Sequence, residues 1–477
     1  MKLIDRIAIR TTWLSLIHRG PDINDVAETE RLLPGLGPLV ALVLLVGACP
    51  SAAVPVSQVP GQQTSFEDVV ASLKVGDPRV RLDALHMLAQ AGYLEAAGPI
   101  TPLLTDSVAE VQNAAIETLL SLFLVDESYT RRYGQEVVKQ KGASLALLAF
   151  AQGPGQLVAN QWPPELITGL VTCLNSSVAE VRFNATYALG VFGPLAAKRG
   201  AVPDGKTAVQ RLTAMAKDPN PLLRLAATQA LGRLYGAALG NEGPNSDILA
   251  LKTEAGDQVI AGMNDPDQLV RQASVRTAGE MRNERAVQSL IELLGYYKGG
   301  TLARLTLEAV ARIAHPGSLS VLTALLDSKD EQSRAQAVAG IGRMGDKTAF
   351  ANLEVRTAQD KSQYVKLAMA FARVRGGDLS QVVTIAEGFA KKKVAPEAFE
   401  YLVELGPVVA DALAPIASHT DADVRAGVAE VLGIIGNAQS VFVVQSLSRD
   451  RKTSVAQAGV RSAKRLSPRP ANAPRLM

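Results

Sequence analysis

An all-α solenoid, a superhelix of about nine or ten antiparallel helical pairs, is the fold class the sequence predicts, on three observations. One short pattern recurs along most of the chain: an Asp, then Val-Arg, then Ala, then Ala-Leu-Gly and a later Gly. Within each copy the apolar residues fall at three-to-four spacing, the period of a helix with one buried stripe. The chain is 47% hydrophobic but only 4% aromatic. Its apolar mass is Ala, Leu and Val, residues suited to closely packed helices.

Taken in order, Asp77-Pro78-Arg79-Val80-Arg81 leads to Ala84-Leu85 and a break at Gly92, and Asp106 opens a second copy with Val111 and Ala114-Ala115. Val181-Arg182 leads to Ala188-Leu189-Gly190, and Asp218-Pro219-Asn220-Pro221 to Leu223-Arg224 and Ala230-Leu231-Gly232. Asp265-Pro266-Asp267 precedes Val270-Arg271 and Ala278-Gly279, and Ser333-Arg334 precedes Ile341-Gly342 and Gly345. Asp421 to Gly436 is a near-ideal copy, and a degenerate one runs from Asp450 to Leu466. The first-position Asp predicts an N-cap, a Pro after it suits the first helical position, and the closing Gly ends the helix in a left-handed conformation. A preceding helix is visible at 96–104, 287–294 and 318–326. Two such helices cannot bury their apolar faces without neighbours, so the units must stack.

The pattern resembles the HEAT repeat, in the short form shared with bilin-lyase-like proteins, over 66–468. The resemblance implies an armadillo-like scaffold for protein partners. It also implies that Arg81, Arg182, Arg224, Arg271 and Arg425 are structural, each pairing with an Asp as a ladder along the stack. The pattern lapses at 123–165 and 376–410, and insertions in solenoids often shape the binding face. In the first lapse Tyr129, Arg131, Arg132, Tyr133 and Trp162 are the candidate partner contacts, since Tyr, Trp and Arg dominate interface hot spots. Core packing of an atypical repeat is the competing expectation for them.

Residues 1–48 read as a signal-like segment whose uncharged run, Leu32 to Ala48, is short for a membrane-spanning helix. Leu45-Val46-Gly47-Ala48-Cys49 resembles the lipobox of bacterial lipoproteins, which implies cleavage before Cys49 and a lipid on its thiol. The acidic stretch from Asp22 to Glu30 departs from a basic signal start, so translation is expected to begin nearer residue 26. Residues 49–65 read as a flexible tether. Pro50 after the Cys leans towards an outer-membrane, periplasm-facing location.

Lys plus Arg total 49 against 46 for Asp plus Glu, a net charge of +3, so no nucleic-acid partner is expected. Two cysteines (Cys49, Cys173) and four scattered histidines offer neither metal spacing nor a disulfide framework, and no nucleophile elbow or phosphate loop occurs. Cys173 is expected to be a buried, inert thiol. Lys391-Lys392-Lys393 is expected to be solvated, the basic residues from Arg449 to Arg465 to face outward on a capping repeat, and 469–477 to be a basic tail. No catalytic, cofactor or metal-binding residue is expected. The leading reading is a non-catalytic interaction scaffold, lipid-anchored in a bacterial envelope. The alternative is a cytoplasmic bilin-lyase-like protein that handles a chromophore or modifies a partner.

Overall fold

The computed structural model describes residues 65–124, 144–151, 153, 157, 162–193, 207–235, 246–297 and 299–467. The signal-like segment, all of the tether but Ser65, and the basic tail lie outside the described residues. Contacts divide the chain into a leading piece, Met1–Asp68, and an array, Val69–Met477. Among the described residues the only extended pairing is a lone antiparallel bridge between Leu124 and Leu157.

Helices α1 (Phe66–Ser72) and α2 (Pro78–Ala91) come first. α3 (Ala97–Ile100), prolonged by a 3-10 turn to Thr105, pairs with α4 (Ala109–Phe123), and α5 (Leu145–Ala151) is an insertion. α6 (Pro164–Cys173) pairs with α7 (Ala179–Phe192), α8 (Ala208–Met215) with α9 (Pro221–Tyr235), and α10 (Ser246–Gly262) with α11 (Gln268–Glu280). α12 (Val287–Tyr296) pairs with α13 (Gly300–Ile313), α14 (Leu319–Leu325) with α15 (Glu331–Met344), and α16 (Lys347–Thr357) with α17 (Gln363–Arg375). α18 (Val382–Ala386) pairs with α19 (Ala395–Leu405), α20 (Ala410–Leu413) with α21 (Ala422–Ile435), and α22 (Ala438–Leu447) with α23 (Thr453–Leu466). These ten pairs after α2 make the array an all-α solenoid. Within the lapse at 376–410, α18 and α19 still form a pair, with α18 short and flanked by 3-10 turns.

Each second helix packs on the next, from α2 through α4, α7, α9 and onward to α23. Small residues set the spacing. A Cβ at Gly279 would lie 2.8 Å from the Cα of Ala309, and one at Gly342 would lie 2.9 Å from the Cα of Ala372. Gly279 and Gly342 therefore sit inside their helices where backbone meets backbone, whereas Gly190 and Gly232 leave room for the side chains of Phe150 and Glu280. The later glycine is left-handed in two copies, where Gly92 and Gly345 close α2 and α15 at φ +67° and +71°, but Gly436 ends α21 in extended backbone at φ −65°, against the expectation.

One described run, Ala395–Ser418, is long and apolar enough to cross a membrane by length and composition. Gly406 (φ +73°) and Pro407 break it, and its two halves, α19 and α20, belong to successive pairs of the array.

Candidate interaction surface on the second-helix layer

The motif arginines build a ladder before they build any site. Arg224 donates from Nη1 to the carbonyls of Asp218 and Pro219 at 2.9 and 3.1 Å, closing the turn ahead of its own helix. Its other nitrogens grip Asp265 of the next pair, with both hydrogen bonds at 2.8 Å. The same rung joins Arg81 to Asp106 and Arg425 to Asp450 at 2.8 Å, and Arg182 to Asp218 more loosely at 3.8 Å. Arg334 adds a rung to Asp360 at 2.7 Å. Arg271 makes only the first half, bonding the carbonyls of Asp265 and Pro266, because Tyr297-Lys298-Gly299 offers no Asp at the next step. Charge-assisted, forked hydrogen bonds of this kind fix the angle between neighbours as well as stabilising them.

The rungs correct the expected role of the motif Asp. Asp77 and Asp421 cap their own helices, as predicted. Asp106 and Asp265 stand two residues ahead of their helices' caps, Val108 and Asp267, and accept from those residues' N–H groups and from the incoming Arg. Asp267 is the cap of α11. Gln112 and Ser176 replace the ionic rung between α4 and the turn before α7, with a hydrogen bond at 3.4 Å.

Of the candidate partner contacts, Tyr129, Arg131, Arg132 and Tyr133 lie outside the described residues, as does Cys49. Trp162 is built into an aromatic cluster, its ring 4.8 Å from Phe192 and 6.1 Å from Phe123. The half-buried indole packs between the ends of α4 and α7. Two charge runs are also more paired than expected. Lys393 meets Glu331 at 2.6 Å and lies over the Tyr364 ring, while Arg461 and Arg465 both converge on Glu430. Cys173 is buried, as expected, with its Sγ donating to the Leu104 carbonyl, and burial pushes its thiol up to about 12.

Further charged groups gather on the face of the second helices, where the motif gave no sign of them. Over α7 and α9 the inserted α5 covers this face. Phe150 packs 4.9 Å from the Tyr187 ring, Arg233 lies 4.9 Å over Phe150, and the Tyr187 hydroxyl donates to Gln229 at 3.0 Å. From α11 to α19 no helix is inserted, and ion pairs meet across the layer instead. Arg343 of α15 binds both oxygens of Glu404 in α19 at 2.7 Å. Arg312 of α13 reaches Glu400 at 2.7 Å and Glu308 at 3.1 Å. Arg282, just past α11, reaches Glu404 at 3.1 Å. Arg343 is only 6% exposed, seated on Phe371 and Tyr401, which themselves stack at 4.4 Å.

These neighbours tune the α19 carboxylates in opposite directions. Burial alone would raise Glu404, but Arg343, Arg312 and Arg282 outweigh it and hold the carboxyl down to about 2. Glu397 lacks such partners. Burial, helped by Glu400 and Glu308, raises it to about 7, and its Oε2 is buried with no hydrogen-bond partner among the described residues. Beside this cluster Arg304 and Arg375 remain exposed, with Arg304 one turn ahead of Glu308 on α13.

Other features offer less. An open cleft of about 340 Å³ near Asn175, Gln210 and Glu254 is walled by Arg182 and Asp218, which form a rung of the ladder. Among the described residues no group of three or more His, Cys, Asp or Glu could hold a metal ion.

No protein-family model matches the sequence, and no curated protein matches it. Among solved structures the chain is similar to an engineered protein at 19% identity and TM-score 0.41, covering 84% of this chain and 98% of that one. It is also similar to a designed armadillo repeat protein in complex with the peptide (KR)4, at 15% identity and TM-score 0.34, covering 58% of this chain and 99% of that one.

Proposed function

We propose that the chain is a non-catalytic scaffold for protein partners, held by a lipid on Cys49 in a bacterial cell envelope and facing the periplasm from the outer membrane. One observation carries the scaffold reading: the charged face from α11 to α19. There Arg304, Arg375 and Glu400 stay exposed around an ion-paired centre held on rigid, stacked helices. Arginines on a preorganised surface suit recognition of a partner's carboxylates, and the half-exposed carboxylates suit its cations. Glu308, Glu400 and Glu404 are engaged by Arg282, Arg312 and Arg343 as ion pairs, while Glu397 lies beside them without one among the described residues. The anchor reading rests on the sequence at Leu45 to Cys49.

Photocrosslinking tests the scaffold reading. A photoreactive residue at Arg304 or Arg375 should give an adduct of discrete mass in envelope fractions. The same residue at Phe442, exposed on first helix α22, should not. Equal labelling from both faces, or none from either, sinks the proposed surface. Palmitate labelling that disappears in Cys49→Ser supports the anchor. An unlabelled, soluble protein that purifies with a bound bilin would favour the lyase-like alternative.

A further inference from the structure

We infer that Glu400 and Glu404 form a latch that closes the second-helix layer across its own face and sets how sharply α11 to α19 bend. In a stacked array each unit touches only its neighbours, so a bend is the sum of small, independent steps. Here three ion pairs skip units. Arg343–Glu404 links α15 to α19 past α17, Arg312–Glu400 links α13 to α19, and Arg282–Glu404 joins residues 122 positions apart. These are chords across an arc, and they exist only while the arc is tight. The backbone contacts at Gly279–Ala309 and Gly342–Ala372 permit that tightness, but small residues do not enforce it. The chords supply the enforcement.

The charges facing the latch are known on each participating helix. Glu280 and Arg282 come from the end of α11, Glu308 and Arg312 from α13, Arg343 from α15, Arg375 from α17, and Glu397 from α19 itself. With both latch carboxylates neutral these leave an excess of guanidinium groups on one concave patch, and their repulsion favours a wider arc. A two-state element of this kind responds to whatever competes for its arginines. A partner whose carboxylates pair with Arg282, Arg312 and Arg343 therefore binds the open form better and shifts the population towards it. The inference rests on the geometry of the closed arc and stands whether or not the scaffold reading does.

Small-angle scattering on the full chain tests it. Glu400→Gln with Glu404→Gln should keep the wild-type helical circular dichroism and show an upward shift in radius of gyration. Wild type should make part of that shift between low salt and about 1 M NaCl, since salt screens the more exposed Arg282 and Arg312 pairs well and the buried Arg343 pair much less. The double variant, already open, should not respond to salt. A folded double variant with wild-type dimensions at both salt concentrations overturns the latch. Should the double variant unfold, wild type decides alone, together with Arg282→Met, whose side chain is 52% exposed and removable without harm to the core. No salt response in wild type and no shift in Arg282→Met would again overturn it.

Discussion

The second-helix layer is covered twice, by different chemistry in its two halves. Over α7 and α9 an inserted helix brings Phe150 onto Tyr187 and beneath Arg233, so the cover is aromatic and local. Between α11 and α19 the cover is ionic and long-range, built from side chains of the layer itself. The difference follows from how the layer bends. Where a separate element fills the space, the second helices need not reach one another. Where none is inserted, glycine and alanine contacts bring the ends of α11 and α19 within side-chain reach, and opposite charges meet. A repeat array can thus gain long-range contacts without any change in its repeating motif.

Substitutions on the two sides should separate these chemistries. Phe150→Ala removes a ring that is 6% exposed and opens a cavity against Tyr187, so it should cost about 3–5 kcal/mol in urea unfolding. That loss should be the same at low and high salt. Glu404→Ala leaves Arg343 buried against Phe371 and Tyr401 without its carboxylate, for a cost of about 3 kcal/mol at low salt. This loss should shrink in about 1 M NaCl, where the intact pair is itself partly screened. Two losses with one salt dependence would erase the distinction between the halves.

The ladder offers a finer comparison of rungs. Arg224 completes its rung to Asp265, whereas among the described residues Arg271 bonds only carbonyls. Both arginines lose charge-assisted bonds, so Arg224→Met should cost about 3 kcal/mol and Arg271→Met about 1.5 kcal/mol, the two ends of the range for hydrogen bonds to charged groups. Equal costs measured by chemical denaturation would place the value of the arginine in its turn-closing bonds and not in the rung.

The ladder was legible because its signal is local. Val-Arg at a fixed place after a turn, repeated with an Asp in the following unit, survives in any copy of the motif. Arg334 followed the same register without the Val, and structure was needed to see its partner Asp360. The ionic face was not legible. Nothing near Glu404 in the sequence points to Arg282, since their meeting depends on a bend accumulated over four second-helix contacts. The packing of Trp162 was illegible for a related reason: nothing in an irregular stretch points from it to Phe123 and Phe192. The lapse at 376–410 hid a helical pair because its first helix, α18, is only Val382–Ala386 and is flanked by 3-10 turns on both sides.

The smallest effect expected is the most specific to α19, where two carboxylates two turns apart should give pH signatures of opposite sign. Glu404 is held near 2 in the folded chain, below its ordinary value, so its contribution is present above about 4.5 and is lost as pH falls towards 2. Glu397 is raised from 4.5 to about 7 by burial and by the like charges of Glu400 and Glu308. The folded chain then holds a proton that the unfolded chain has released. Stability therefore falls as pH rises from about 4.5 to 7, and the full penalty persists above 7. Glu397→Gln keeps the shape and removes the charge, so it should stabilise the protein by about 1–2 kcal/mol at pH 8 after allowance for solvent near this half-buried group. At pH 4 the same change should be near neutral. Urea unfolding of both proteins at the two pH values measures the contrast. A gain of equal size at both would mean that the neutral amide improves packing, leaving the charge of Glu397 without a part in shaping the ionic face.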